Sequence, residues 1–203
     1  MTVERTAAAF DFDGTLLSGD SLLGFLWCAA PPVRRPWALA VTAAALAGYG
    51  ARLVSNDRTK RALCASWLAG ASLEDATTAA EAYGARLDAR LRPEAWRRLT
   101  WHRQRGDEVL IVSASLELYL RPWAARHGLH HVIGTRLAVH EGRLTGALLG
   151  PNCWGPEKVR RLGAHPARIG RALWAYGDSR GDQEMLAAAD RPFHRRFEGG
   201  ADV

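Results

Sequence analysis

Hydrophobic residues follow two different patterns along the chain. Residues 7–12 form a short, mostly apolar run that is ended by Asp13-Gly14, a pattern typical of a buried strand. Between residues 22 and 91, apolar residues instead recur at helical spacing, and proline, asparagine and glycine interrupt the periodicity. This second pattern predicts four helices, over residues 22–29, 37–53, 58–68 and 73–91.

The remainder of the chain returns to alternating strands and helices. Its pattern predicts strands over 108–112 and 172–176, a hairpin over 132–149, and helices over 93–106, 116–127, 157–162 and 182–189. This alternation favours an α/β fold, in which a parallel sheet lies between two layers of helices in a Rossmann-like core. We expect residues 1–17 and 92–203 to form that core domain, and residues 18–91 to be an inserted all-helical cap domain.

Composition agrees with this organisation. A chain of 203 residues with 48% hydrophobic and 24% charged residues can bury one substantial core and carry an insert. Cys28, Cys64 and Cys153 are odd in number and widely spaced, which excludes a disulfide framework and a CxxC metal site. We expect these cysteines to be reduced thiols.

The net charge of +6 comes almost wholly from arginine, because Lys60 and Lys158 are the only lysines. The arginines form scattered pairs without stacking aromatics between them, so we expect a solvated surface and no nucleic-acid partner. The N-terminus lacks the pattern of a signal peptide, and the apolar tract 36–50 is shorter than the roughly 20 residues of a spanning helix. We therefore expect a cytoplasmic protein.

Polar residues suited to phosphoryl transfer follow the predicted strands. The first strand ends at Asp11-Phe12-Asp13, the second at Ser113, and a later one at Gly177-Asp178-Ser179-Arg180-Gly181-Asp182. Lys158 opens a helix between the last two. Because ligands bind at the carboxyl ends of strands in an open parallel sheet, we expect these side chains to converge.

Each residue type has a chemical role in such a site. Asp11 would be a carboxylate nucleophile, which needs a cation to approach an anionic phosphate, and Asp11, Asp178 and the Asp13 carbonyl would offer Mg²⁺ hard oxygen ligands. Asp13 points the same way as Asp11 because strand side chains alternate, and it would protonate the leaving oxygen and then activate water. Ser113 and Lys158 would bind the phosphoryl group.

Taken in order, DFDGT, a strand ending in serine, a lone lysine and GDSRGD resemble the haloacid dehalogenase superfamily across essentially the whole chain. The placement of the helical insert resembles its subfamily IB, the phosphoserine-phosphatase-like branch, and implies a C1-type cap. The resemblance implies that Asp11 is the nucleophile, Asp13 the acid/base, and Ser113 and Lys158 the phosphoryl ligands. It further implies that Asp178 and Asp182 bind or orient Mg²⁺.

Substrate specificity is expected to lie in the cap. Asp20 stands where phosphoserine phosphatases commonly have a glutamate that receives an amino group, so it is a candidate substrate ligand. Gly181 replaces their usual asparagine and Ala114 their usual glycine, which argues against phosphoserine itself. The C-terminal segments GPEKVRRL and WAYGDSRGDQEML resemble the branch that includes phosphatidylglycerophosphatase C.

Two substrate classes therefore remain open, a small soluble phosphomonoester and a lipid phosphate. For a lipid substrate, Trp27, Trp37 and the apolar helix would make a peripheral membrane contact, aided by the basic charge. The alternative is that this tract forms the core of the cap. The sequence does not indicate an oligomeric state.

Two other functions share some of these features. A phosphotransferase would have the same motifs but would pass the phosphoryl group to an acceptor alcohol. A non-catalytic basic module would bind nucleic acid or membrane through charge alone, and its binding would survive Asp11→Asn. A dehalogenase is disfavoured, because Asp13 and the acidic metal site have no purpose without a phosphoryl group.

Overall fold

Parallel strands form the central sheet of the computed structural model, which describes residues 5–197. The strands are β1 (Thr6–Phe10), β2 (Glu108–Leu116), β3 (His131–Thr135), β4 (Leu137–His140), β5 (Arg143–Leu148), β6 (Ala172–Gly177) and β7 (Arg191–His194). The sheet has the order β3-β2-β1-β6-β7 with all neighbours parallel, while β4 and β5 form a separate antiparallel hairpin. The predicted core-domain ends, 1–4 and 198–203, lie outside the described residues.

Helices cover both faces of this sheet. They are α1 (Leu22–Ala29), α2 (Arg35–Gly50), α3 (Asn56–Leu68), α4 (Leu73–Leu87), α5 (Pro93–Gln104), α6 (Glu117–Arg126), α7 (Pro156–Gly163) and α8 (Gln183–Ala187). Alternate residues of β1 belong to different hydrophobic clusters, with Ala8 and Phe10 facing one layer and Ala7 and Ala9 the other. The predicted three-layer α/β fold is confirmed.

The hairpin prediction over 132–149 is wrong in its first part. Residues His131–Thr135 form β3 in the central sheet, and the hairpin begins at Leu137. Burial explains the difference, because β3 is buried almost throughout whereas β5 alternates between exposed and buried residues. A strand that is covered on both faces has no alternation of apolar and polar residues. The sequence therefore did not show that β3 belongs to the central sheet and not to the hairpin.

Two further elements differ from the predictions. Strand β2 continues past Val112 to Leu116, and α6 therefore begins at Glu117. The edge strand Arg191–His194 was not predicted, because it is short, largely exposed and contains Pro192.

The helices between Leu22 and Leu87, here called the helical insert, stand above the carboxyl ends of the strands. The hairpin β4–β5 is bonded to the insert by main-chain hydrogen bonds, from Gly70 N to Leu144 O at 2.7 Å and from Leu144 N to Ala71 O at 2.9 Å. A third bond runs from Leu73 N to Gly142 O at 2.9 Å. The position of the insert over the site is thus held by backbone contacts.

The helices α1 and α2 leave many large apolar side chains exposed. The buried residues of α2 are Ala38 and Thr42. The exposed apolar side chains of this region, here called the apolar face, are Leu23, Trp27, Val33, Trp37, Leu39, Leu46, Tyr49 and Leu53. Of the two alternatives for tract 36–50, the one in which it forms the core of the insert is therefore wrong. Within residues 5–197, no helix is long and apolar enough to cross a membrane.

Candidate active site

The carboxyl ends of β1, β2 and β6 open into a pocket of about 570 Å³ beneath the helical insert. The predicted site residues that line it are Asp11, Asp13, Asp20, Ser113, Lys158 and Asp178. Asp182 lies behind this lining and is fully buried. The structure therefore brings the predicted residues together, although more than 160 positions separate the first motif from the last.

Lys158 is fully buried and bridges two carboxylates. Its Nζ donates to Oδ1 of Asp11 and to Oδ1 of Asp182, each at 2.5 Å. Burial disfavours the charged amine, but the two carboxylates outweigh that effect and raise the pKa of Lys158 above its usual value. The lysine therefore places a positive charge directly beside Asp11.

Asp11 lies just beyond β1 and is held against the neighbouring strand. Its backbone N–H donates to the carbonyl of Tyr176 at 2.9 Å, which extends the pairing of β1 with β6. Burial raises the pKa of Asp11 to about 7 against the opposing charge of Lys158, and Asp182 adds to the rise. A cation beside this carboxyl would favour the ionised form that a nucleophile requires.

Three carboxylates could hold a metal ion. Asp11, Asp178 and Asp182 each offer an oxygen, and these oxygens lie within 4.8 Å of one another. Hard carboxylate oxygens are the ligands that Mg²⁺ prefers. The donor set therefore fits the predicted cofactor.

Asp182 is more tightly engaged than the other two carboxylates. Its Oδ2 accepts from the backbone N–H groups of Asp178 and Ser179, at 3.2 and 3.0 Å, and from the Ser179 hydroxyl at 2.7 Å. Its Oδ1 accepts from Lys158. Asp182 thus fixes the loop that presents Asp178, while Asp11 and Asp178 face the pocket.

The glycine of the first motif makes room for Asp178. Gly14 has a φ of +80°, and a Cβ there would lie 2.7 Å from Cγ of Asp178. The next residue, Thr15, donates its hydroxyl to Oδ1 of Asp178 at 3.0 Å. The turn after Asp13 therefore positions the carboxylate of the last motif.

The two carboxylate oxygens of Asp13 have different surroundings. Its Oδ2 accepts a hydrogen bond from the Ser115 hydroxyl, and its Oδ1 is buried without a hydrogen-bond partner among residues 5–197. Burial raises the pKa of Asp13 to about 6, and the charge of Asp20 adds to the rise. The carboxyl can therefore exchange a proton near neutral pH.

Ser113 and Asp20 both line the pocket, but each is also part of the local structure. Ser113 is buried, and its hydroxyl accepts from the backbone N–H of Ser115 at 3.1 Å. Oδ1 of Asp20 accepts from the backbone N–H of Leu22 at 2.8 Å, at the beginning of α1. The roles of both residues in substrate binding stay predictions.

Ser115, Lys60 and Trp154 also line the pocket but were not among the predicted site residues. Ser115 follows Ser113 by two positions in an extended strand, so the alternation of strand side chains was a signal that could have identified it. Lys60 was conspicuous as one of two lysines, but no motif placed it. No sequence signal indicates Trp154, which enters the pocket through the loop before α7.

An acid-rich pocket at the carboxyl edge of a parallel sheet, with a buried lysine and a helical insert, is typical of phosphatase-type hydrolases. The model of the haloacid dehalogenase-like hydrolase family matches residues 8–187. The protein belongs to this family and is a hydrolase of the phosphatase type. The predicted superfamily, fold class and enzyme class are confirmed, and membership of subfamily IB stays a prediction.

Individual proteins are similar to this chain in sequence or in structure. Protein CicA of Caulobacter vibrioides (strain NA1000 / CB15N) is 40% identical over 204 residues, which cover 97% of this chain and 88% of CicA. A protein of unknown function from Bordetella pertussis Tohama I has a similar structure, with a TM-score of 0.78 and 25% identity over 95% of this chain and 90% of that chain. A phosphoserine phosphatase, solved as a phospho-aspartyl intermediate analogue, has a TM-score of 0.65 and 21% identity over 92% and 84% of the two chains, which shows a shared fold.

Proposed function

We propose that this protein is a Mg²⁺-dependent phosphatase that hydrolyses a phosphomonoester through an aspartyl-phosphate intermediate on Asp11. The arrangement of Asp11 between Lys158 and the acidic loop, with an unpartnered oxygen of Asp13 nearby, carries this proposal. We further propose that residues 18–91 form a cap domain over a core of residues 1–17 and 92–203.

The proposed reaction has two steps. In the first, a carboxylate oxygen of Asp11 bonds to phosphorus as the bond to the leaving oxygen breaks, and Asp13 gives that oxygen its proton. In the second, Asp13 takes a proton from water, whose oxygen bonds to phosphorus and releases phosphate and free Asp11. Lys158 and Ser113 bind the phosphoryl oxygens in both steps.

The metal would be held by Asp11, Asp178 and the main-chain carbonyl of Asp13, and Asp182 would hold the loop that carries Asp178. When bound, Mg²⁺ supplies positive charge that screens the nucleophile from the anionic phosphate. This requirement explains why acidic residues converge at a site that must also accept an anion.

The apolar face favours a lipid phosphate as the substrate class. Leu23, Leu46 and Tyr49 are exposed and also line the pocket, so the apolar face is continuous with the entrance to the site. A surface that inserts apolar side chains among lipids and carries arginines is suited to an anionic membrane. Arg35 stacks on Trp27 at 4.8 Å, which places such a cation within this face. A small soluble phosphomonoester is the second candidate, since a pocket of this volume also admits one.

The test is release of inorganic phosphate in the presence of Mg²⁺ from a panel of sugar, nucleotide, amino-acid and lipid phosphates. We expect Asp11→Asn to abolish turnover and EDTA to suppress the wild type reversibly. Asp57→Asn is the matched control, because Asp57 is a partly exposed residue of α3 whose carboxylate pairs with Arg61. A tenth or more of wild-type activity in Asp11→Asn would contradict the aspartyl-phosphate mechanism.

The same assay separates the remaining alternatives. Preference for lipid phosphates that is lost when Trp37 and Leu39 are replaced by serine would support a membrane-facing entrance. Preference for a soluble ester that these changes leave intact would support the second candidate. Turnover that requires an added alcohol and yields its phosphate ester would instead identify a phosphotransferase.

A further inference from the structure

Lys60 is a second buried lysine in the pocket. It lies on α3 in the helical insert and is 8% exposed. Its Nζ donates to the carbonyl of Ala114 at 2.6 Å, between the two serines at the end of β2. Both lysines of the chain therefore lie in this pocket, although the rest of the protein uses arginine as its cation.

Lys60 differs from Lys158, whose charge is paired with two carboxylates. Among residues 5–197 Lys60 forms no ion pair with a carboxylate, and its one hydrogen bond is to a neutral carbonyl. Cys64 and Cys153 are near it, but burial raises the pKa of each thiol to about 11, so both are uncharged at neutral pH. Burial lowers the pKa of Lys60 itself, which reflects the cost of an ammonium group that lacks a counterion.

Lys60 lies on the same side of the pocket as Asp13. Its hydrogen-bond partner, Ala114, directly precedes Ser115, whose hydroxyl donates to Oδ2 of Asp13, and the charge of Lys60 acts on Asp13 and Asp20. Asp13 is the group that would protonate the leaving oxygen. A ligand of Lys60 would thus belong to the part of the substrate beyond that oxygen.

A purely structural role does not require this residue. The helical insert is already joined to the core by the main-chain bonds to β5, by Asn152 Nδ2 donating to Asn56 Oδ1 at 2.7 Å, and by Arg61 donating to the Gly150 carbonyl at 3.2 Å. A neutral side chain would donate to the Ala114 carbonyl without the cost of burying a charge.

We propose that Lys60 determines specificity by binding a second anionic group, a carboxylate or a phosphate, on the leaving part of the substrate. This inference rests on the proposed phosphatase function and identifies a feature of its substrate. Binding of that group places an anion beside the unpaired ammonium and orients the leaving oxygen toward Asp13.

The test uses alkyl phosphates of increasing chain length whose far end carries a hydroxyl, a carboxylate or a second phosphate. Values of kcat and KM are measured for the wild type, Lys60→Met and Lys60→Arg. Arg61→Met is the matched control, because it removes a neighbouring cation and a bond from the insert to the core but lies outside the pocket lining. The hydroxyl ester of each length serves as the neutral reference.

At the chain length that reaches Lys60, we expect Lys60→Met to lower the kcat/KM ratio of anionic to neutral ester about tenfold or more, mainly through KM. Lys60→Arg and Arg61→Met should retain most of the ratio. The carboxylate and phosphate series show which anion is preferred. The proposal would be overturned if Lys60→Met left this kcat/KM ratio unchanged at every chain length, or if it lowered kcat/KM equally for the neutral ester. Lys60 would then have only a structural role, in joining the insert to β2.

Binding is measured separately from turnover. The same esters are titrated by calorimetry into Asp11→Asn, with and without Lys60→Met, so that recognition is observed where hydrolysis is absent. A tenfold weaker binding of the anionic ester in the double variant supports the role of Lys60 even if the wild type releases no phosphate. Equal binding by the two proteins contradicts that role even if the wild type is a phosphatase.

Discussion

The indole of Trp154 fills the space beside the backbone of Gly181. A Cβ at position 181 would lie 2.6 Å from Nε1 of Trp154, closer than two such atoms can approach. The backbone N–H of Gly155 donates to the Gly181 carbonyl at 3.0 Å, so the two loops are also joined by their main chains. Gly181 stands where phosphoserine phosphatases typically carry asparagine, and here that position packs against a tryptophan from another loop.

This relationship predicts that Gly181→Asn alone is harmful and that Trp154→Ala relieves the harm. We expect Gly181→Asn to destabilise the fold by about 1–3 kcal/mol, as overpacking does, and to lower phosphatase activity. The double variant should recover part of both losses relative to Gly181→Asn. Thermal unfolding and phosphate release measure the two effects.

Gly163→Asn is the control for this pair, since a Cβ at Gly163 meets no atom within 4 Å. It should leave activity unchanged. Strictly additive effects of Gly181→Asn and Trp154→Ala would contradict a direct steric coupling.

A second prediction concerns Gly14 and the metal site. Gly14→Ala would place a methyl group against the Asp178 carboxylate and force an alanine into a φ of +80°. We expect the displaced carboxylate to weaken Mg²⁺ binding about tenfold or more. The measurement is the Mg²⁺-dependent rise in Tm, which mass action predicts for any ligand of the folded state.

Gly150→Ala separates backbone strain from the steric contact. Gly150 has a φ of +86°, but a Cβ there meets no atom within 4 Å. Both variants should lose stability, while Gly150→Ala should keep the wild-type response to Mg²⁺. If the two variants respond alike to Mg²⁺, the role assigned to Gly14 is wrong.

A third prediction follows from His102, which is fully buried beneath the sheet. Its Nδ1 lies 2.7 Å from Oδ2 of Asp107 and its Nε2 lies 2.9 Å from the Tyr176 hydroxyl. Burial lowers the pKa of His102 to about 4, although the hydrogen bond to Asp107 opposes the shift. Between pH 4 and the unfolded value near 6.5, the unfolded chain therefore binds the additional proton.

Stability contributed by neutral His102 is complete above pH 6.5 and is lost as pH falls toward 4. The loss is roughly 3 kcal/mol in the free energy of unfolding. Denaturant unfolding measures the free energy of unfolding of the wild type and of His102→Gln. We expect the advantage of the wild type to shrink by about this amount as the pH falls from 6.5 to 4. His140→Gln, at an exposed histidine, should show no such change, and parallel curves for wild type and His102→Gln would contradict the prediction.

Much of the fold follows from local patterns. The apolar run before Asp11 and the helical spacing in the insert arise from near neighbours, so they predict β1 and α1–α4 to within a few residues. The strand β3 was assigned to the wrong sheet because its burial depends on helices that cover both faces. A pattern within five residues does not contain that information.

The candidate site likewise contains some residues that local sequence patterns predict and others that they do not. Asp11, Asp13 and Asp178 were identifiable because each follows a strand, and the carboxyl ends of parallel strands share one edge of the sheet. Lys60 and Ala114 are 54 positions apart, and nothing in either segment predicts that they meet. The exposure of α2 was equally hidden, because an apolar helix has the same composition whether it is covered or not.

The sequence by itself therefore determined the family, the order of the elements and the acidic residues of the pocket, since these depend on local periodicity and on motifs. The tertiary structure alone decided that Lys60 enters the pocket, that Trp154 packs against Gly181, and that the apolar face borders the entrance. The physical reason is that burial and the field at a charged group depend on atoms from distant segments, and packing of the whole chain determines where those atoms lie.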